Sequence, residues 1–299
     1  MTLRQLLLLR EIGRHSLNMS RAAETLHMSQ PAISRQIQLL EEELGIEVLQ
    51  RRRNRTLGFT VAGTDILAAA ERVLDEVDAI RRMAADTKDE GQGQLRLVTT
   101  HLHARHTLLD PMASFMRNHP QVPVQLVAVS DPSTIPQVLA RGEADLGVST
   151  ERGFEHAEVT MLRGAALKRS LIFPTGHALE RKRRIGIGDI ASYPLLGFGT
   201  ASRSSQLMEE TLKAATGAAE LNVLARVANT DVIKAYVAKG LGIAVIPTVA
   251  FEPSRDVGIV SRDVTRLFPE SFVAVSFRTS NYLRRYVRDF IDLVLTPGA

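Results

Sequence analysis

The sequence predicts a small helical module closed by a β-hairpin, then one long helix, then an α/β region over residues 91–299. Three observations carry this expectation. Apolar residues recur at helical spacing through residues 1–45, and residues 62–88 keep a repeat of threes and fours with no Gly or Pro after Gly63. After Gln94, apolar strands alternate with amphipathic helices, the pattern of layered α/β folds. At 299 residues the chain is long enough for two or three domains, and a hydrophobic content of 44% against 23% charged residues supplies each with a core.

Charge and composition narrow the function classes. The 37 Lys and Arg against 33 Asp and Glu leave +4, an excess that permits a nucleic-acid partner without requiring one. The absence of cysteine excludes disulfides, thiolate zinc sites, thiol nucleophiles and cysteine redox switches. No apolar run reaches the roughly 18–20 residues of a membrane span. Leu6 to Leu9 is followed at once by Arg10 and Glu11, unlike a signal-peptide core, so a cytoplasmic location is expected.

Helices are expected over about 2–14, 19–26 and 30–44. Ser20-Arg21-Ala22-Ala23-Glu24 starts the second, His27-Met28 turns, and Ser29 caps the third with Pro31 in its first turn. Ile33, Ile37, Leu40 and Leu44 form the buried stripe of the third helix. Gln30, Ser34 and Gln38 lie four apart on another face beside Arg35, with Ala32 small enough for close approach. Such side chains hydrogen-bond base edges and phosphates. Two short helices, a tight turn and such a third helix read as a helix-turn-helix; a three-helix piece of a larger domain, its polar face meeting water, is the alternative. Residues 46–62 then read as two strands around a basic tip, Arg51, Arg52, Arg53 and Arg55, suited to a phosphate backbone or a minor groove. Residues 1–60 carry nine Lys/Arg against six Asp/Glu and residues 61–90 four against eight, so the charge changes sign where a DNA-facing part would end.

The block Ser20-Arg21-Ala22-Ala23, Ser29-Gln30-Pro31-Ala32-Ile33-Ser34-Arg35-Gln36-Ile37, Leu40 to Gly45, Thr60 and Gly63 resembles the winged helix-turn-helix of LysR-type transcriptional regulators. The resemblance implies that Ser20, Arg21, Gln30, Pro31, Ser34, Arg35 and Gln38 serve double-stranded DNA. It makes Arg51 the phosphate contact and Arg53 or Arg55 the groove contact.

In the long helix, Ile66, Ala70, Val73, Val77, Ile80 and Ala84 step by fours and threes, an a/d seam over nearly three heptads. Glu71, Asp75, Glu76 and Asp78 cover the other faces, so one stripe remains for a partner helix, as in two-fold dimers that read paired half-sites. A single amphipathic helix lying on its own domain is the alternative. The resembled family dimerises here, and a homotetramer and contact with RNA polymerase are the further partners it implies. Asp86 to Gly93 reads as a polar hinge.

The last two-thirds carries strands at 95–99, 122–129, 144–149, 170–173, 221–227, 242–246 and 272–277, with helices near 106–118, 133–141, 203–216 and 231–239 and at the end. In such folds ligands sit outside the carboxyl ends of strands. No catalytic constellation is present: there is no G-x-S-x-G, H-E-x-x-H or P-loop, so no enzyme activity is expected. Gly240-Leu241-Gly242 follows a helix and leads into a strand, the wrong order for a dinucleotide loop. Arg181 to Arg184 reads as a solvated loop. His101, His103 and His106 follow a strand, where H-x-H aims two imidazoles the same way. A metal would need a further ligand, so polar pocket histidines are the better reading and no metal or cofactor is expected. Thr99-Thr100, Ser149-Thr150 and Thr200 to Ser205 put hydroxyls at strand ends and helix starts, as helix caps or as one anion-binding cleft; three clusters favour the cleft.

This half resembles the effector domain of the same family, two subdomains with a cleft like that of periplasmic solute-binding proteins. It is most similar to the branch of the cysteine-regulon activator CysB, through Thr99-Thr100-His101, Gly142 to Asp145, Arg169-Ser170, Thr230 to Lys234 and Phe277-Arg278. The resemblance implies a winged helix-turn-helix at 1–62, a linker and dimerisation helix with hinge at 63–90 and an effector domain at 91–299, subdomain I covering about 91–165 and 267–299 and subdomain II about 166–266. It implies a regulator of sulfur metabolism, an activator in the branch's namesake, that answers a small anionic effector. The effector residues it implies are Thr99, Thr100, Leu102, His103, Ser149, Thr150, Leu167, Thr200 and Ser202. Leu102, His103 and Leu167 replace a threonine, a glutamine and an aromatic residue of the branch, so the expected effector is an anion with an organic portion. The rival expectation is a solute-binding or enzymatic α/β protein with an unrelated helical N-terminus.

Overall fold

In the computed structural model, which describes residues 1–15, 17–52, 55–88, 93–151, 156–197, 203–217 and 219–296, the chain divides into two units. One holds residues 1–88 and 280–282, the other residues 89–279 and 283–299.

In the first unit local capping sets each helix. Thr2 and Gln5 form a reciprocal capping box at the start of α1 (Leu3–Arg14). Asn18 caps α2 (Met19–Thr25) by accepting from the Arg21 N–H at 3.1 Å. Ser29 accepts from the Ala32 N–H to open α3 (Gln30–Leu44), which ends at Gly45 in the left-handed conformation. Ile33, Ile37 and Leu40 are fully buried, but Leu44, expected to complete their stripe, is 37% exposed. The chain turns away at Gly45, and Val48 and Leu49 take the next places in the core instead.

A hairpin follows, β1 (Leu49–Arg52) against β2 (Arg55–Phe59), with Leu49 opposite Phe59. The Glu41 carboxylate accepts from the N–H groups of Val48 and Leu49 at 2.9 and 3.0 Å, which ties the hairpin to α3. Thr60 then makes the junction to α4 (Val61–Lys88): its hydroxyl donates to the Glu47 carbonyl and accepts from the Gly63 N–H. A Cβ on Gly63 would stand 2.0 Å from the Val48 carbonyl oxygen, so only glycine lets the first turn of α4 lie against the strand. Ala70 and Leu74 are buried in one core with Leu8, Leu9, Ile12 and Ile37. The start of the long helix thus completes the small module rather than only leaving it. Helix continues through residues 86–88, where a hinge was expected, and residues 89–92 lie outside the described residues.

The second unit begins with β3 (Leu95–Thr100), a π-helical turn at His103–Thr107 and α5 (Leu109–Asn118). Next come β4 (Val124–Val129), α6 (Ile135–Ala140), β5 (Leu146–Glu151) and β6 (Val159–Ala166). The chain then crosses to β7 (Arg169–Pro174), α7 (Ile187–Ala191), β8 (Leu195–Gly197), α8 (Arg203–Thr216) and β9 (Val223–Arg226). After α9 (Thr230–Ala238), β10 (Ala244–Pro247) and β11 (Ile259–Asp263) it returns through β12 (Phe272–Arg278) to α10 (Arg285–Leu295).

These strands make two layers of sheet. The first has the order β4-β3-β5-β12-β6, with β3 parallel to β4 and β5 and the returning β12 antiparallel to β5 and β6. Phe115 of α5 and Phe290 of α10 meet edge to face, 5.3 Å apart, on one side of it. Ile135 and Leu139 of α6 pack against Val98 on the other. The second layer is β10-β7-β11 with the pair β8-β9 beside it. In β7, residues 169–173 are all buried, a central strand covered on both faces. The strands β6, β8 and β11 and the helix α7 were not expected. β6 and β11 are edge strands of mixed polarity, and β8 is three residues long. Gly240 and Gly242 fall between α9 and β10 and form no phosphate loop. No described helix is long and apolar enough to cross a membrane.

Gly63→Ala should force the Val48 strand and α4 apart and destabilise the first unit by about 3 kcal/mol, as overpacking does. Urea unfolding followed by circular dichroism checks this, and a midpoint equal to wild type would show that the junction yields freely.

Candidate nucleic-acid interface and ligand cleft

The polar face of α3 is laid out by its capping and its stripe. With Ile33, Ile37 and Leu40 buried, the helix must turn Pro31, Arg35 and Gln38 outward; these are exposed with Gln30, while Ser34 is half-buried. Ser20 and Arg21 on α2 are exposed too, and the Ser20 hydroxyl lies 3.5 Å from the Gln30 amide oxygen, the limit of a hydrogen bond. Arg35 is only loosely tethered to Glu42, at 3.7 Å with both side chains more than half exposed, so its guanidinium is free to reach a base or phosphate. Arg51 and Arg55 contribute backbone to the two hairpin strands. Their side chains, and Arg53 altogether, lie outside the described residues.

The expected seam of α4 is split between two uses. Ala70 is buried within its own unit and Ile66 packs partly against the same core, together with Leu67 and Leu74. A module of some sixty residues buries a marginal core, and the first turns of α4 add to it. The rest of the stripe is more open: Val73 is 42% and Ile80 63% exposed, Ala84 is exposed and Val77 half-buried. Positions 73, 77, 80 and 84 keep the spacing of a helix-pairing seam.

In the second unit the carboxyl ends of β3, β4 and β5 open onto a cleft. Thr100 ends β3 and Thr150 sits in β5; both line it, as do Leu102 and Leu167. Thr99 and Ser149, expected beside them, do not. Successive strand residues face opposite sides, and Thr99 is buried within the sheet, donating to the Val148 carbonyl at 2.6 Å, with Ser149 buried likewise. Thr200 and Ser202 lie outside the described residues.

The histidines also depart from expectation. Residues 101–107 are helical, so positions two apart diverge instead of aligning. His101 reaches the cleft, whereas His103 is fully buried behind it. Its Nδ1 is 2.9 Å from the Thr107 hydroxyl and its Nε2 2.8 Å from that of Thr150. Burial, reinforced by His106, pushes its pKa down to about 4, so the ring is neutral at ordinary pH. His106 turns instead to Glu252, 3.6 Å away. No group of three potential metal ligands is assembled among the described residues.

Sequence reasoning missed the residue that dominates the cleft electrostatically. Arg169, the first residue of β7, is 5% exposed and lines the cavity. One terminal nitrogen donates to Ser204 at 2.8 Å and Ser271 at 3.1 Å, and the other lies 3.1 Å from the Met208 sulfur. Its Nε is buried without a partner, and no carboxylate pairs with the guanidinium among the described residues. Desolvation pushes its pKa down to about 10, which still leaves it charged at neutral pH. Lys168 adds a second cation to the wall, and no Asp or Glu lines it. The signal available in the sequence was an arginine opening a strand that is apolar from Leu171 to Pro174.

Comparison with known proteins adds an independent line. Residues 3–64 match the family model of the bacterial regulatory helix-turn-helix protein, lysR family, and residues 88–297 that of the LysR substrate binding domain. The chain is 31% identical over 294 residues to the HTH-type transcriptional regulator CysB of Burkholderia cenocepacia, covering 98% of this chain and 93% of that one. It is 33% identical to the regulator SsuR of the same organism (98% and 94% covered) and 31% identical to the regulator cbl of Escherichia coli (98% and 92%). Among solved structures, a full-length OxyR variant from Pseudomonas aeruginosa superposes with a TM-score of 0.72 at 23% identity, covering 100% and 99% of the two chains. The cofactor-binding domain of the Cbl transcriptional regulator gives 0.65 at 25% identity over 71% of this chain and 91% of that one. Full-length CbnR complexed with its target DNA gives 0.59 at 22% identity, covering 98% and 99%.

Two outcomes follow from the first unit. Ser34→Ala and Arg35→Ala should each remove about 1–3 kcal/mol of discrimination between a specific site and random DNA, read by competition gel shift, while sedimentation shows unchanged assembly. Val73→Asp combined with Ile80→Asp should break self-association, since each carboxylate would face its own copy across a two-fold seam. Sedimentation velocity decides, and an assembly state equal to wild type would place self-association on another surface.

Proposed function

The chain belongs to the LysR family of transcriptional regulators, and we propose that it controls sulfur-metabolism genes in response to a small organic oxyanion bound in its cleft. The single observation that carries the effector's chemistry is Arg169, a guanidinium buried in the cleft without a carboxylate. An unpaired buried charge costs of order several kcal/mol, a cost that an anionic ligand offsets and water offsets poorly. Thr100, Thr150, Ser204 and Ser271 surround the same cavity with hydroxyl donors. The sulfur assignment is supported by the likeness to CysB, SsuR and cbl over nearly the whole chain.

Size and wall chemistry support an organic portion. The lining runs from Thr100 and Val129 to Met208 and Pro247, more wall than one inorganic oxyanion touches. Leu102, Val129, Leu167 and Pro247 give it an apolar side. A sulfonate, a sulfate ester or an acylated amino acid fits both halves better than free sulfate. The regulator acts as a homodimer paired through the more open stripe of α4, and as a homotetramer in the family manner, on paired half-sites of double-stranded DNA, with RNA polymerase as its further partner. The effector works by binding one arrangement of the assembly more tightly than another, since only differential affinity shifts a population.

Arg169→Met tests the reading with two opposite signs. Replacing a buried unpaired charge by an apolar side chain should raise the free chain's Tm by about 2–4 °C, roughly 1 kcal/mol for a unit of this size. The stabilisation given by a bound organosulfonate, RT ln(1 + [L]/Kd) in the wild type, should vanish. Thermal-shift titration with methanesulfonate, longer alkanesulfonates and sulfate measures both. A variant that keeps the wild-type ligand shift would remove Arg169 from the site, and sulfate binding more tightly than every organic anion would remove the organic portion.

A further inference from the structure

His103 and Thr107 stand behind the wall of the cleft and Thr150 stands on it, joined in one hydrogen-bonded chain through the two ring nitrogens. The ring is buried and neutral, so it owns one N–H and one bare lone pair and can donate in one direction only. The chain Thr107–His103–Thr150 therefore holds three polar hydrogens, one from each hydroxyl and one from the ring. Two of them make the two internal bonds. The third must leave from one end.

The two ends differ. At the Thr107 end the hydroxyl has no other partner among the described residues, so no protein acceptor waits for a hydrogen there. At the Thr150 end the hydroxyl opens onto a cavity whose wall carries Arg169 and Lys168 and no carboxylate, a setting that draws in acceptors. We infer that His103 is a positioning residue that, anchored by Thr107, makes the Thr150 hydroxyl a fixed hydrogen-bond donor to the effector's oxyanion. The Thr107 O–H donates to Nδ1, the Nε2–H donates to the Thr150 oxygen, and the Thr150 hydrogen points into the cleft. With the opposite polarity the Thr150 hydrogen would be spent on Nε2 and only lone pairs would face the ligand, which repels an anion. The polarity of a ring that never touches the effector thus selects for acceptors at this point of the wall. The inference rests on the anionic-effector reading for its purpose, but its geometry is a property of the free chain.

The test uses the full chain. With ¹⁵N-histidine labelling, long-range ¹H–¹⁵N correlation reports which nitrogen carries the hydrogen, and His103→Gln assigns the signal. The expected result at neutral pH is a neutral ring protonated at Nε2; protonation at Nδ1 overturns the proposal. In parallel, calorimetry with inorganic sulfate and methanesulfonate compares wild type with Thr107→Val and Thr107→Ser. Thr107→Val should weaken both probes by about tenfold although residue 107 does not line the cleft, and Thr107→Ser should restore them. Equal affinity of Thr107→Val and wild type overturns the relay. If neither probe binds wild type while the ring is Nε2–H, the relay stands and the anionic-effector reading falls. If both bind and the ring is Nδ1–H, the relay falls and that reading stands.

Discussion

A cation held out of water without a counter-ion is the constraint on which the α/β half turns. Arg169 is fixed by its backbone as well as its side chain: its N–H donates to the Thr265 hydroxyl at 2.9 Å, and its carbonyl accepts from Val264. Its guanidinium then gathers Ser204 from the start of α8 and Ser271 from the approach to β12, so three separate stretches of chain meet around one charge. Hydroxyls satisfy its hydrogens without neutralising it. The result is a site whose field is set before any ligand arrives, which favours anions without demanding rearrangement at the moment of binding.

The first unit answers a different constraint, the shortage of core in a small module. Its solution is to borrow. Glu41 secures the hairpin to α3, Thr60 and Gly63 let α4 start flush against the strand, and Ala70 and Leu74 complete the apolar interior. Because burial of Ile33, Ile37 and Leu40 fixes the rotation of α3, the polar residues of that helix have one outward direction. The outward geometry of that face is therefore a by-product of packing on the opposite side, which gives it rigidity that no loop could supply.

What was legible in the sequence was local, and what escaped it was mostly a matter of phase or distance. The caps and stripe of α3 are written within fifteen residues, and the structure follows them until Leu44, where the turn at Gly45 decides. In β3 and β5 the hydroxyl pairs Thr99-Thr100 and Ser149-Thr150 marked the right strand ends. Which member of each pair faces the cleft depends on the pleat, and that is fixed by neighbours distant in sequence. The H-x-H spacing gave aligned rings only if residues 101–103 stayed extended, and they are helical. Arg169 was hidden for a plainer reason: whether a charge is paired depends on residues 35 and 102 positions away. β6 and β11, edge strands without clean alternation, gave no periodic signal at all.

The division of the α4 seam into a buried beginning and a more open continuation reaches beyond this one chain. Substitutions at Val73, Ile80 and Ala84 touch no part of the interior that Ala70 and Leu74 complete, so they are nearly free of folding cost. A cell that keeps several regulators of common descent must stop them from assembling into mixed species, and it needs positions that can diverge quickly without harming the DNA-reading module. Where the outer stripe pairs copies as proposed, it supplies such positions. After gene duplication two copies can part company by exchanging a few side chains on one helix, while the half of the same helix that builds the module stays unchanged.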